Sequence, residues 1–234
     1  MSIYRHVDPS PVAFFKRTIS AQLHLLGLIS AVTGLIVLLH FADLKHNRAD
    51  FWACLIFGLT SIAVFFVSTF YHFVSDGFRI SEKLELRLEN ADHFAIFLFI
   101  AGTYSPVIIN VIHPPWNWIL LVTVWTLSLA GIAYTLVKPR LPRWARHRAV
   151  NTSLFVAMGW TLLIRIGEAI KNMSSHGVWL LVLGAASYSL GAAVYALKRP
   201  VLFRGVFGFH ELWHVMVMLG FACHYFMILD FYVA

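Results

Sequence analysis

The chain has 234 residues, of which 59% are hydrophobic and only 12% charged, with a formal net charge of +7. Soluble domains carry about 25% charged residues, so this composition excludes an ordinary soluble fold. The basic excess calls for no nucleic-acid partner, because it sits in loops that orient a membrane protein and can touch anionic headgroups.

Apolar stretches of about 20 residues, enough to cross a hydrocarbon core of roughly 30 Å, recur seven times. They predict an all-α polytopic membrane protein with spans at 19–41, 51–74, 92–112, 116–137, 149–167, 177–197 and 208–232. Residues 1–18 form an N-terminal segment, and residues 19–234 one seven-helix transmembrane domain. The N-terminal segment lacks the short apolar region and cleavage site of a signal peptide. Asp8, Pro9 and Pro11, followed by Phe14, Phe15, Lys16 and Arg17, predict a loop and then an interfacial helix.

Span 1 carries His24 near its start, read first as an interfacial or helix-bonded histidine and, as the alternative, as a group behind the metal ligands or a proton shuttle. Span 2 carries Cys54 and ends on Ser68 and His72, spaced i, i+4 on one helical face. Residues 75–91 form a charged helical connection. Asp92 then opens span 3; His93 lies on a different face and is read as interfacial. Pro106 removes a backbone hydrogen bond within that span and predicts a kink. His113-Pro114-Pro115-Trp116 reads as a tight turn into span 4. Arg165 and Glu168 pair at i, i+3 near the end of span 5. Span 6 is rich in small residues (Gly184, Ala185, Ala186, Gly191, Ala192, Ala193), which favour close helix packing and leave room for a cavity. Span 7 opens on His210-Glu-Leu-Trp-His214 and continues through Cys223 and His224. Two cysteines in different spans predict no disulfide framework.

Orientation follows from the basic residues. Fourteen of the eighteen Lys and Arg fall on one side: Arg5, Lys16 and Arg17; Arg79, Lys83 and Arg87; Lys138, Arg140, Arg143, Arg146 and Arg148; Lys198, Arg199 and Arg204. The positive-inside rule puts the N-terminus in the cytoplasm and the C-terminus outside. This orientation fits a multi-pass integral membrane protein. Span 2 then ends, and spans 3 and 7 begin, at the cytoplasmic face.

Ionisable groups within spans are expensive and mark functional sites. Here three helices deliver Ser68, His72, Asp92, His210 and His214 to one leaflet. Three neutral imidazoles with an open fourth position make a catalytic-type zinc shell, so His72, His210 and His214 are the predicted metal ligands. Asp92 stands either as a further ligand or as hydrogen-bond acceptor for the metal's water, and Ser68 one turn deeper bonds the same water or an acyl oxygen. His224 lies ten residues beyond His214, roughly 15 Å along the helix, and is read as packing or hydrogen-bonding.

These residues resemble the hemolysin III family, within the superfamily of progestin and adipoQ receptors and alkaline ceramidases. The resemblance rests on Ser68-Thr-Phe-Tyr-His72, Ala91-Asp92-His93 running to Ala101-Gly-Thr-Tyr-Ser-Pro106, Gly191-Ala-Ala-Val-Tyr195 and His210-Glu-Leu-Trp-His214. It implies seven spans, zinc held at His72, His210 and His214, and Asp92 and Ser68 acting beside it. Members are described as receptors, as ceramide amidases or as pore-forming hemolysins. A glutamate common in the family ahead of span 1 is missing here: the stretch reads Arg17-Thr-Ile-Ser-Ala-Gln-Leu-His24.

Four functions fit the residues. A zinc-dependent hydrolase acting on the amide or ester bond of a membrane lipid ranks first, with Asp92 as general base. A receptor-like or regulatory protein with structural zinc ranks second. A pore follows, since no row of charges crosses the membrane along any span. So does an intramembrane metalloprotease with Glu211 as its base, because His210–His214 satisfies H-E-x-x-H, but the usual distal acidic ligand is lacking and Glu211 is read instead as turned toward the inner interface or a basic loop.

Overall fold

The computed structural model describes residues 14–16, 18–142, 148–203 and 206–233. Most of the expected N-terminal loop, and the basic residues Arg143, Arg146 and Arg204, lie outside these. The described residues form an all-α protein with seven helices long and apolar enough to cross a membrane. We label the helices α1 (Ile19–Leu44), α2 (Arg48–Gly77), α3 (Glu82–Val111), α4 (Trp116–Val137), α5 (Arg148–Gly159), α6 (Ile166–Asn172), α7 (Ser175–Leu197) and α8 (Phe209–Val233).

Local sequence explains the ends. Asn47 caps α2 by accepting from the Ala49 amide at 3.0 Å, and Ser81 caps α3 through the Leu84 amide at 3.3 Å. Glu82 and Glu85 in the first turn of α3 favour its positive end. The charged connection 75–91 is mostly continuous with the third span, so α3 starts ten residues before the apolar run. The fifth span differs from expectation more. It extends past residue 167 to Asn172 and is broken, α5 giving way to a tighter turn at Thr161–Arg165 before α6. Tyr104 clasps the break: its hydroxyl donates to the Gly159 carbonyl at 2.7 Å and accepts from the Leu162 amide at 3.2 Å. Arg165 and Glu168 pair as expected, at 2.8 Å. Both cysteines are free.

The helices pack as a ring in chain order, α8 closing against α1, with α3 as the central element. In its apolar stretch 67% of α3 is buried, against 22–44% in the other spans. The burial pattern is that of a protein dissolved in lipid. Leu25, Leu26, Ile29 and Ile36 of α1, Trp118 and Val122 of α4, and Trp179 and Leu183 of α7 face outward. Ser20, His24, Ser61, Ser68, His72, Asp92, Thr103 and His214 are buried inside. Polar side chains turn inward because lipid offers them no hydrogen bond. Midway along the bundle Phe57, Phe65, Phe99 and Phe221 meet ring to ring, with centroids 5.0–6.5 Å apart.

The small residues set how closely the helices approach. At Gly131 of α4 a Cβ would lie 2.2 Å from the Phe97 ring of α3, and Phe97 is fully buried. Overpacking of this kind costs about 1–3 kcal/mol. Gly131→Val is therefore expected to lower the thermal midpoint measured in detergent. Gly167→Ala, with nothing within 4 Å, should leave that midpoint unchanged or raise it slightly.

Candidate metal centre and cavity

Four histidines converge at one end of the bundle. His24 lies in the second turn of α1, His72 five residues before the end of α2, and His210 and His214 in the first turns of α8. The ring centroids are 4.3 Å apart for His24 and His214, 4.7 Å for His72 and His214, 5.1 Å for His72 and His210, and 4.5 Å for His210 and His214. One ring nitrogen from each of His24, His72 and His214 lies within 4.8 Å of the others, and all three rings are buried. The expected ligands His72, His210 and His214 are thus neighbours.

His24 takes the alternative place rather than an interfacial one: it is buried inside the cluster, its Nε2 2.7 Å from His214 Nδ1. The helical ring explains this: α1 closes against α8, so its first turns lie beside those that carry His210 and His214.

The hydrogen bonds orient the rings. His72 Nδ1 donates to Asp76 Oδ2, one turn on, at 3.0 Å. His214 shares its Nδ1 with His24. What remains is notable for burial without partners: His214 Nε2 and His24 Nδ1 make no hydrogen bond. A buried polar atom left unsatisfied costs about 1–3 kcal/mol. A metal ion accepting the His214 Nε2 lone pair removes that cost at His214, and a carboxylate behind a ligand, as Asp76 stands behind His72, is a usual means of fixing its tautomer. The residues therefore fit a metal, and an all-imidazole donor set suits zinc among others.

Asp92, in the buried face of α3, meets Ser68 of α2, whose hydroxyl donates to Asp92 Oδ1. His72 stands close enough to interact electrostatically with that carboxylate. Ser68, Asp92, His24 and His214 together line one end of a cavity of about 150 Å³. Its walls are mostly apolar, with Val64, Ile96, Phe99, Ile100 and Val217 among them, and it runs toward α5 and α7. There Trp160 Nε1 donates to Ser189 Oγ at 3.1 Å.

Glu211 has another occupation. Its Oε2 accepts from the Gly208 amide at 2.7 Å, and its Oε1 lies 3.5 Å from the Ser20 hydroxyl as acceptor. This is the helix-start contact in which an acid three residues in reaches back to the capping amide. The expectation that Glu211 turns toward an interface or basic loop gives way to a capping role. His93 does lie on a different face from Asp92, but it meets Asn151 of α5 at 3.2 Å rather than an interface.

Comparison with known proteins agrees with this architecture. The family described as Haemolysin-III related matches residues 12–225. Hemolysin-3 of Bacillus cereus is 32% identical over 222 residues, covering 94% of this chain and 93% of its own. The Hemolysin-3 homolog of Bacillus subtilis is 30% identical over 210 residues, covering 90% and 91%. The heptahelical transmembrane protein ADIPOR1 of Oryza sativa subsp. japonica is 32% identical over 159 residues, 62% of this chain and 41% of its own. With matches to its family over nearly the whole length and seven membrane-crossing helices, the chain belongs to the haemolysin-III related family of multi-pass integral membrane proteins.

Proposed function

We propose that the protein is a zinc-dependent hydrolase of amide or ester bonds in membrane lipids, acting near the cytoplasmic face of a bacterial inner membrane. One observation carries the reading: a buried Ser68–Asp92 pair and a histidine cluster share one end of an apolar cavity inside the bundle. A purely structural metal tying α1, α2 and α8 together would need neither the carboxylate pair nor the cavity.

In this reading His72, His210 and His214 hold the metal and His24 backs His214 through the 2.7 Å contact. Zinc in such a shell supplies a Lewis acid that polarises a carbonyl and acidifies a water. The chain's own groups do the rest. Asp92, with Oδ1 held by Ser68, uses Oδ2 to take a proton from the attacking water and passes it to the departing amine or alkoxide. Ser68 keeps the carboxylate turned toward the cluster. The apolar walls seat the hydrocarbon chain and exclude bulk water from the reacting bond. Glu211, committed to the helix start, takes no part, which counts against the metalloprotease reading.

Zinc per purified chain should fall well below one in His72→Ala, His210→Ala and His214→Ala. His24→Ala should keep most of its zinc and lose it faster to a chelator. If His24→Ala is metal-free while His210→Ala is loaded, the ligand set is His24, His72 and His214 instead.

Removing a positioned acid–base group costs about 10²–10⁴-fold in rate. Asp92→Asn is expected to lose at least a hundredfold in turnover of a fluorescent fatty amide with its zinc retained. Glu211→Gln should keep its turnover. The reverse pattern restores the metalloprotease.

The topology makes a separate prediction. The histidines lie within the first or last turns of their helices, and the Phe57, Phe65, Phe99 and Phe221 cluster packs beside the cavity farther along the bundle. A membrane-impermeant chelator should strip zinc faster from inside-out than from right-side-out vesicles. The opposite order contradicts the proposed orientation.

A further inference from the structure

The cavity has a second polar end that the proposed chemistry leaves unused. Tyr188 of α7 and His224 of α8 line the same cavity as His214 and Asp92, their rings 5.4 Å apart. The Tyr188 hydroxyl is buried with no hydrogen-bond partner. One His224 ring nitrogen faces the Leu181 carbonyl outside good hydrogen-bond geometry, and the other is buried without a partner. The Tyr188 hydroxyl and that second nitrogen thus lack partners in one apolar chamber, and burying such groups unsatisfied is costly.

Two glycines make room for these rings. A Cβ at Gly184 of α7 would sit 2.4 Å from His224 Cδ2, and a Cβ at Gly220 of α8 would sit 2.7 Å from the Tyr188 ring. Each helix thus opens a slot for the polar ring of the other. Packing alone would be served as well by phenylalanine, which brings no polar atom to satisfy. A slot built for a tyrosine and a histidine at the wall of a cavity is a binding feature.

His224 is ten residues beyond His214 on the same helix, roughly 15 Å along its axis. The cavity therefore offers the metal centre at one end, an apolar stretch, and a hydrogen-bonding pair at the other. We infer that the protein selects acyl chains that carry an oxygen function, a hydroxyl or carbonyl, at mid-chain, which Tyr188 and His224 hydrogen-bond while the chain's carboxyl end reaches the metal centre. The inference rests on the lipid-hydrolase reading for what lies at the metal end. A mid-chain hydroxyl accepts from the Tyr188 hydroxyl and donates to the unprotonated His224 nitrogen, while the ring's N–H stays toward the Leu181 carbonyl.

Ricinoleate and oleate test this, since they differ by one mid-chain hydroxyl and stand for the acid released from a lipid amide or ester. Their equilibrium binding to zinc-loaded protein in detergent micelles should favour ricinoleate by about five- to tenfold, the range of one buried hydrogen bond otherwise left unmade. Tyr188→Phe should weaken ricinoleate selectively toward the affinity of oleate. It should also melt no lower than the parent, because it removes a partnerless buried hydroxyl. Gly184→Ala, which displaces the His224 ring, should erode the same preference. Equal binding of the two acids to the parent would overturn the inference and leave the hydrolase reading standing. So would a Tyr188→Phe protein that loses both acids equally, since that marks a packing role. If neither acid binds, this inference fails whether or not the fluorescent fatty amide is turned over, and turnover decides the hydrolase reading by itself.

Discussion

Imidazoles and a carboxylate have no place among apolar helices unless each polar atom finds a partner, because the surrounding lipid supplies none. That constraint organises one end of this bundle. His72 gives one nitrogen to Asp76, His214 gives one to His24, and Asp92 takes the Ser68 hydroxyl. His214 Nε2 is left without a partner in this setting, and four helices must hold their register for those contacts to exist together. The closure of α8 on α1 and the central burial of α3 both serve to bring His24, His214 and Asp92 to one depth.

Much of this was legible from residue spacing and charge. Seven apolar runs yield seven membrane-crossing spans, most ends displaced by a few residues but α3 starting ten residues early and the fifth span broken, and the i, i+4 pairs Ser68/His72 and His210/His214 do share a face. Topology brought Asp92 to the same end, although it lies 20 residues from His72 in sequence. His24 was misplaced for an instructive reason. It was weighed as a lone histidine near an interface, yet the argument that put the starts of spans 3 and 7 on one side applies equally to span 1. Its position in the opening turns was the available signal. Tyr188 and His224 carried no such signal, because their meeting depends on the register of α7 against α8 and on the slots at Gly184 and Gly220. Glu211 was set aside as a catalytic acid and read as turned toward the interface or a basic loop, whereas the amide of Gly208 claims it.

The competing functions separate on geometry. A pore would have to breach the contact of Phe57, Phe65, Phe99 and Phe221, all well buried in mid-bundle. At the far end Asp50, Asn110 and Tyr232 form their own polar group, with Asn110 Nδ2 donating to the Tyr232 hydroxyl at 3.0 Å and to Asp50 Oδ1 at 3.4 Å. That group ties α2, α3 and α8 together, and its contacts are with itself rather than with the histidines. The two ends are therefore separate sites, one a helix tie and one open to a cavity. Among the described residues, the unpartnered histidine nitrogens and the apolar chamber lie at the second, which is what the proposed lipid chemistry asks for.

The central claim is that a metal sits among these histidines, and zinc K-edge X-ray absorption on the protein as purified tests it most directly. The account predicts one zinc per chain with nitrogen or oxygen neighbours at about 2.0–2.1 Å and the outer-shell scattering of at least three imidazoles. A protein that yields no zinc edge even after reconstitution, or a shell without imidazole scattering, would contradict it.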